Sequence, residues 1–428
     1  MKIPELLAPA GTLPNLRYAI AYGADAVYAG IPRYSLRVRN NDFHQLDILS
    51  QGIEEAHANQ KKFFLAANLL PHNRKVDTFL ADLAEVVELN PDALIMADPG
   101  LIMLVREKWP DLIIHLSVQA NTMNYASVKF WQSQGIRRII LSRELSLDEV
   151  QEIRQQCPDI ELEVFVHGAL CIAYSGRCLL SGYFNHRDAN QGSCTNSCRW
   201  KYKVHGNSED DSGDVRQCSD SEVSLLEEVE RPGEFMPIEE DEHGTYIMNS
   251  KDLRAVQHVS RLINIGVDSL KIEGRTKNYY YVARVTQSYR HAIDDAVAEK
   301  PFNASLLNQL DKVANRGYTE GFYVRNNTRD YQNYVDGSST SNSQRFVGEL
   351  VDFDPESGLA EVNVKNKFAI GDQLELVLPS GNKTFKLQAM QTMKGEPLDV
   401  VPGSGYRVKI PYDQPEFKYG LLARYLDG

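Results

Sequence analysis

No stretch of this 428-residue chain is apolar for long enough to cross a bilayer. Its amino terminus, MKIPELLAPAG, carries one Lys and reaches Pro4 and Pro9 without the apolar run of a signal peptide, so a cytoplasmic protein with no membrane partner is expected. The chain lacks HExxH, a GxSxG elbow, a Walker A loop and GxGxxG, which removes the commonest protease, nucleotide and dinucleotide signatures. It also lacks an internal repeat. At this length it is no small stapled scaffold, and its six cysteines are expected to be reduced.

Excess positive charge is missing too, the net charge being -12. The deficit is local: Glu209 to Glu242 holds 14 acidic and 2 basic residues, leaving 44 of each sign elsewhere. A nucleic-acid substrate is therefore permitted by the electrostatics without being indicated by them. The composition, 43% hydrophobic and 24% charged, is that of a folded protein with a prior of two to three domains.

What is present is a recurrent strand-then-helix pattern. Eight short apolar runs, Glu5 to Ala8, Asp25 to Ala29, Lys62 to Ala67, Ala93 to Ala97, Leu112 to Leu116, Arg138 to Leu141, Glu161 to Val166 and Ser269 to Ile272, alternate with helical stretches such as VDTFLADLAEVVEL and SLDEVQEIRQQC, whose starts carry Asp or Ser caps. Eight units favour an α/β fold closed as a (β/α)8 barrel of the TIM type over residues 1–325, with an open doubly wound sheet as the alternative. In a barrel the polar residues after each strand share one mouth, here Asn68, Asp98, Ser117 with Gln119 and Asn121, Arg143 with Glu144, His167, and Glu273 with Arg275. Each singly also reads as a helix cap.

About a hundred residues separate the seventh and eighth strands, so an insertion is expected there, with its acidic excursion at 209–242 mobile and solvated. After Arg325 a Ser/Asn-rich linker, 326–345, marks a boundary. From residue 346 to 428 strand-like alternation predicts about five strands closing as a small all-β barrel, either an RNA-gripping or a packing module.

The strongest chemical signal is Cys171, Cys178, Cys194 and Cys198, spaced C-x6-C-x15-C-x3-C. Clustered thiols in a reducing compartment point to a metal site, the alternative being buried apolar cysteines. Four thiolates suit zinc or a [4Fe-4S] cluster. Paired C-x2-C knuckles are absent, and the wide first gap leaves room for the bulkier cluster. Cys218 is an alternative fourth ligand, and Cys157 reads as structural. Because Cys171 closely follows the seventh strand, the cluster is expected at the barrel mouth. Arg37, Arg143 and Arg275 would hold a dicarboxylate there, the alternative being surface or salt-bridge arginines. His167 is the acid/base candidate or a buried structural His. Basic and aromatic residues interleave in RWKYKVH, with Arg199, Lys201 and Lys203, and in GRTKNYYYVAR, with Lys277. They would supply RNA contacts, the tyrosines alternatively packing a helix.

The strings EVFVHGALCIAYSGRCLLS, GADAVYAG, HLSVQANTMN, LSRELSLDEV and SLKIEGRTKNYYYVARV resemble the collagenase-like peptidase family U-32 along essentially the whole barrel. The single appended β-domain resembles that family's tRNA-hydroxylating branch. The resemblance implies oxygen-independent hydroxylation at carbon 5 of the wobble uridine in the tRNA anticodon loop, with prephenate as hydroxyl donor and a [4Fe-4S] cofactor. It maps cluster ligands onto Cys171, Cys178 and Cys194, the fourth, Cys198 here, varying between branches of the family. By their place at the strand ends, Arg143, Glu144 and His167 are the catalytic candidates, and Arg37, Asn68, Gln119, Asn121 and Arg275 the substrate-binding ones. A U-32-type protease and a non-catalytic iron-sulfur scaffold are the alternative functions.

Overall fold

Strands covered on both faces are expected to be largely apolar, and, with His115, Arg138, Glu163 and Lys271 as buried polar exceptions, the eight runs are. In the computed structural model they form β1 (Glu5–Pro9), β2 (Ala26–Gly30), β3 (Lys62–Ala67), β4 (Ala93–Met96), β5 (Ile114–Leu116), β6 (Arg138–Ile140), β7 (Glu161–Ala169) and β8 (Ser269–Ile272). Each pairs in parallel with the next, and β8 pairs with both β7 and β1, so the sheet closes on itself. This is the expected eight-stranded barrel, and the open-sheet alternative falls. The structure describes residues 2–31, 34–35, 42–69, 71, 73–169, 251–315, 317–324, 343–414 and 416–426. It also describes the strand segments 173–174, 177–178, 202–205, 224–228, 235–241 and 244–247.

The crossover helices begin where short polar side chains can hold free backbone N–H groups. Thr12, Asp98, Asn124, Ser146 and Asn278 each cap a helix this way, and Ser146 forms a reciprocal capping box with Glu149. Helix Leu147–Gln156 thus starts where its sequence predicts. The helix expected from Val76 begins earlier, at Asn73, so Asp77 lies inside it and is no cap.

Two compact units can be distinguished. The first comprises residues 1–167, 255–314 and 341–428, the second 168–254 and 315–340. In the second, Tyr202–His205, Ser224–Glu228, Phe235–Asp241 and Gly244–Ile247 pair as a four-stranded antiparallel sheet. Two of those strands lie in the acidic stretch 209–242. High charge did not prevent pairing, because Leu225, Leu226, Phe235 and Ile238 keep enough apolar character for strands.

In the first unit the carboxyl-terminal residues are all-β, with nine strands where five were expected. Seven form one antiparallel sheet, and Asn366–Ala369 with Val400–Gly403 form a ribbon. Both contribute to a single core that includes Val347, Val362, Phe368, Leu376, Val401 and Val408. Among the described residues no helix is long and apolar enough to cross a membrane.

Candidate active site at the carboxyl mouth of the barrel

The barrel interior is charged. Glu163, on β7, accepts from Lys271 Nζ at 2.8 Å and from Arg138 Nη1 at 3.2 Å, and Arg138 also reaches Glu5 and Glu161. All but Glu161 are buried or nearly so. Burial lowers the Lys271 pKa against the opposing pull of Glu163. Two rings stand beside the Lys271 ammonium, Tyr28 at 4.4 Å and Phe165 at 5.4 Å. The same rings support the two arginines of the mouth. Arg143 lies 3.8 Å from the Phe165 centroid and Arg275 lies 5.9 Å from that of Tyr28.

Arg275 follows β8 and is only 8% exposed. Its Nη1 donates to Ser35 Oγ at 2.7 Å, its Nε has no hydrogen-bond partner among the described residues, and no described carboxylate lies within ion-pairing distance. A Cβ on Gly30 would stand 2.7 Å from that same Nη1, so the glycine ending GADAVYAG makes room for the guanidinium. Arg143 follows β6 and approaches Glu273 at 3.6 Å. The backbone N–H of Glu273 donates to the His167 carbonyl at 2.8 Å, joining the ends of β7 and β8.

His167 itself is 1% exposed. Its Nδ1 lies 3.4 Å from the Tyr289 hydroxyl, which donates to Val166 O at 2.6 Å. Glu144, half-buried, accepts from Ser142 Oγ. Asn68 Nδ2 donates to Ser117 Oγ at 3.4 Å across the intervening strand. Gln119 sits on the turn Val118–Ala120, which Asn121 ends in the left-handed region at φ 50.

The structure therefore brings Asn68, Gln119, Asn121, Arg143, Glu144, His167 and Arg275 to the carboxyl ends of the strands. Lys277, just beyond Arg275, has its ammonium 5.3 Å from the Tyr281 ring. Arg37, Arg199, Lys201, Cys171, Cys194 and Cys198 lie outside the described residues, as does Cys218. Lys203 and Cys178 are described only as strand backbone. Among the described residues no three His, Cys, Asp or Glu side chains converge as a metal site.

Of the two readings of the tyrosines in GRTKNYYYVAR, burial favours helix packing over RNA contact. Tyr280 and Tyr281 are 6% and 4% exposed, so they pack the helix and offer no stacking face for bases. Arg284 is buried against Glu375 at 2.8 Å and is unavailable to a phosphate. Residue reading missed Ser35, Thr122 and Lys271. The last stands within the quoted SLKIEGR, where a lysine inside an apolar strand was the available signal.

The family described as Peptidase family U32 matches residues 11–333, and its C-terminal domain matches 342–424. A protein of Escherichia coli named tRNA hydroxylation protein P is 58% identical, the match spanning 99% of this chain and 97% of that one. A Haemophilus influenzae protein of the same name is 56% identical over 99% and 96%. The tRNA hydroxylation protein P1 of Bacillus subtilis is 34% identical over 99% and 95%.

Proposed function

The chain belongs to peptidase family U32, and from that premise we propose that it hydroxylates tRNA, installing an oxygen at carbon 5 of the wobble uridine. The observation that carries this reading is Arg275, a buried guanidinium at the barrel mouth with no carboxylate partner among the described residues. An uncompensated buried charge costs several kcal/mol, so the site calls for an anion. An anionic hydroxyl donor supplies it, and prephenate, with two carboxylates, matches the pair Arg275 and Arg143. The full-length likeness to proteins named for tRNA hydroxylation supports the macromolecular substrate.

Carbon 5 of uracil is a weak nucleophile, and side chains alone supply no oxidising equivalent. The donor set Cys171, Cys178, Cys194 and Cys198, with Cys218 as the alternative fourth, is of the all-thiolate kind that holds a [4Fe-4S] cluster, which when bound would supply redox capacity. The chain's own residues do the rest. Arg143 and Arg275 orient the donor's carboxylates on the Phe165 and Tyr28 rings. The proton lost from carbon 5 needs a base, and we assign Glu144, the half-buried carboxylate beside Ser142. His167 we assign to positioning through Tyr289 and the Glu273 backbone.

Nucleoside mass spectrometry of tRNA from an anaerobically grown deletion strain tests the reading. Loss of 5-hydroxyuridine and its derivatives, restored by the wild-type gene but not by Arg275→Ala or Cys171→Ser, is expected. Unchanged 5-hydroxyuridine in the deletion strain would overturn it.

A further inference from the structure

Many polar groups around the mouth satisfy one another, but Arg275 Nε, Thr122 Oγ1 and Gln119 Oε1 have no hydrogen-bond partner among the described residues. Ser117 Oγ accepts from Asn68 and from the Gln119 backbone N–H, Asn121 Nδ2 donates to the Gln119 carbonyl at 3.1 Å, and Ser142 N–H donates to the Thr122 carbonyl at 3.2 Å. The backbone of this turn is thus held on both sides. The side-chain amide of Gln119 makes no hydrogen bond with any described residue, although its Oε1 is shielded from water. A shielded acceptor without a donor costs about 1–3 kcal/mol, a cost that a ligand carrying an N–H would remove. The hydroxyl of Thr122, three residues on and 1% exposed, is likewise without a partner.

The carboxylates of an anionic donor bring acceptors, which suit Arg143 and Arg275 and leave Oε1 unsatisfied. An N–H on the other substrate would satisfy it. We propose that Gln119 is the specificity-determining residue that reads the imide edge of the target uracil. Its Oε1 accepts from N3–H and its Nε2 donates to a flanking carbonyl oxygen. Because uracil carries a carbonyl on each side of N3–H, one primary amide matches the base in either in-plane orientation. Reading a base by this edge requires it to be unstacked and turned out of the loop. The inference rests on the reading that the mouth receives a uridine.

The test is binding of the full-length protein to an anticodon stem-loop RNA carrying either uridine or N3-methyluridine at the wobble position, followed by fluorescence anisotropy. The wild type is expected to prefer uridine by about tenfold or more, equivalent to roughly 1.4 kcal/mol. Gln119→Leu is expected to weaken uridine binding until the two RNAs bind alike. Gln119→Glu, which keeps an acceptor, is expected to recover part of the preference. Should the leucine variant fail to fold, the longer and unbranched Gln119→Met replaces it. A wild type without preference, a wild type that binds neither RNA, or a Gln119→Leu protein that retains the full preference would each overturn the proposal. If the preference tracks Gln119 while tRNA from the deletion strain keeps its 5-hydroxyuridine, the hydroxylation reading fails and the base-reading role stands.

Discussion

Gly30 shows how one residue shapes the mouth. A methyl group there would meet Ser35 Oγ at 2.6 Å and Arg275 Nη1 at 2.7 Å, closer than real Cβ contacts come. Gly30→Ala is therefore expected to displace the guanidinium and weaken prephenate binding about tenfold by titration calorimetry, roughly 1.4 kcal/mol, while melting temperature changes little. An unchanged affinity would sever Arg275 from the anion site. Deeper in the barrel, Lys271 and Glu163 form a buried pair at 2.8 Å. Removing Lys271 leaves Glu163 paired with Arg138 alone, so Lys271→Met is expected to cost about 1.5–3 kcal/mol, the worth of one charged hydrogen bond. The double variant Lys271→Met with Glu163→Gln should recover much of that loss in urea unfolding. His115, beside Phe64 at 4.7 Å between ring centroids, is buried, and burial with the nearby Arg138 and Lys271 charges holds its pKa well below the usual 6.5. The unfolded chain then binds the extra proton, so stability falls as pH drops below about 6.5. His115→Phe should flatten that part of the melting-temperature profile.

At the scale of elements, helix Tyr279–Val297 works on two faces. Tyr281 and Tyr289 face the barrel, donating to Glu273 O at 2.9 Å and Val166 O at 2.6 Å. Tyr280, Arg284 and Gln287, spaced by four and three residues along another stripe, face the carboxyl-terminal sheet. There Tyr280 stacks on Phe346 at 4.9 Å, Arg284 pairs with Glu375, and Gln287 donates to Leu378 O at 2.7 Å. Burial would raise the Glu375 carboxyl pKa, but Arg284, Gln344 and Lys312 together hold it below the usual 4.5. The pair's contribution is present above about pH 4.5 and is lost as pH falls through the lowered value. Glu375→Ala is expected to cost about 3–5 kcal/mol at neutral pH, far more than an exposed ion pair such as Lys383–Asp413. Urea denaturation at pH 7 and pH 3 checks both statements, and equal losses at the two pH values would contradict the second. The interleaved basic and aromatic residues that suggest an RNA surface in the sequence prove to be this two-faced helix. Local composition does not distinguish a tyrosine that stacks on a base from one that packs on a neighbouring sheet.

At the scale of the whole molecule, the barrel and the carboxyl-terminal sheet belong to one compact unit and share a buried cluster of Tyr18, Tyr22, Tyr280, Val377, Leu421 and Ala423. Tyr22 OH donates across it to Val377 O at 2.9 Å. They are expected to unfold together, with slow hydrogen exchange lost in β8 and in Gln373–Leu378 at the same denaturant concentration. Separate midpoints would show two independent bodies. The existence of the barrel strands was readable, though not their closure, because their runs are mostly apolar and several crossovers start with a cap, features local to a few residues. The list of residues at the mouth was readable for the same reason, since strand ends can be counted. The sequence by itself determined the eight units, the all-β nature of the last residues and the family resemblance. Only the tertiary structure decided that Arg275 lacks a carboxylate partner among the described residues, that Lys271 finds Glu163 across 108 positions, and that Arg284 is spent on Glu375. Whether a charge is compensated depends on partners distant in the chain and brought close by barrel closure, and no local pattern carries that information.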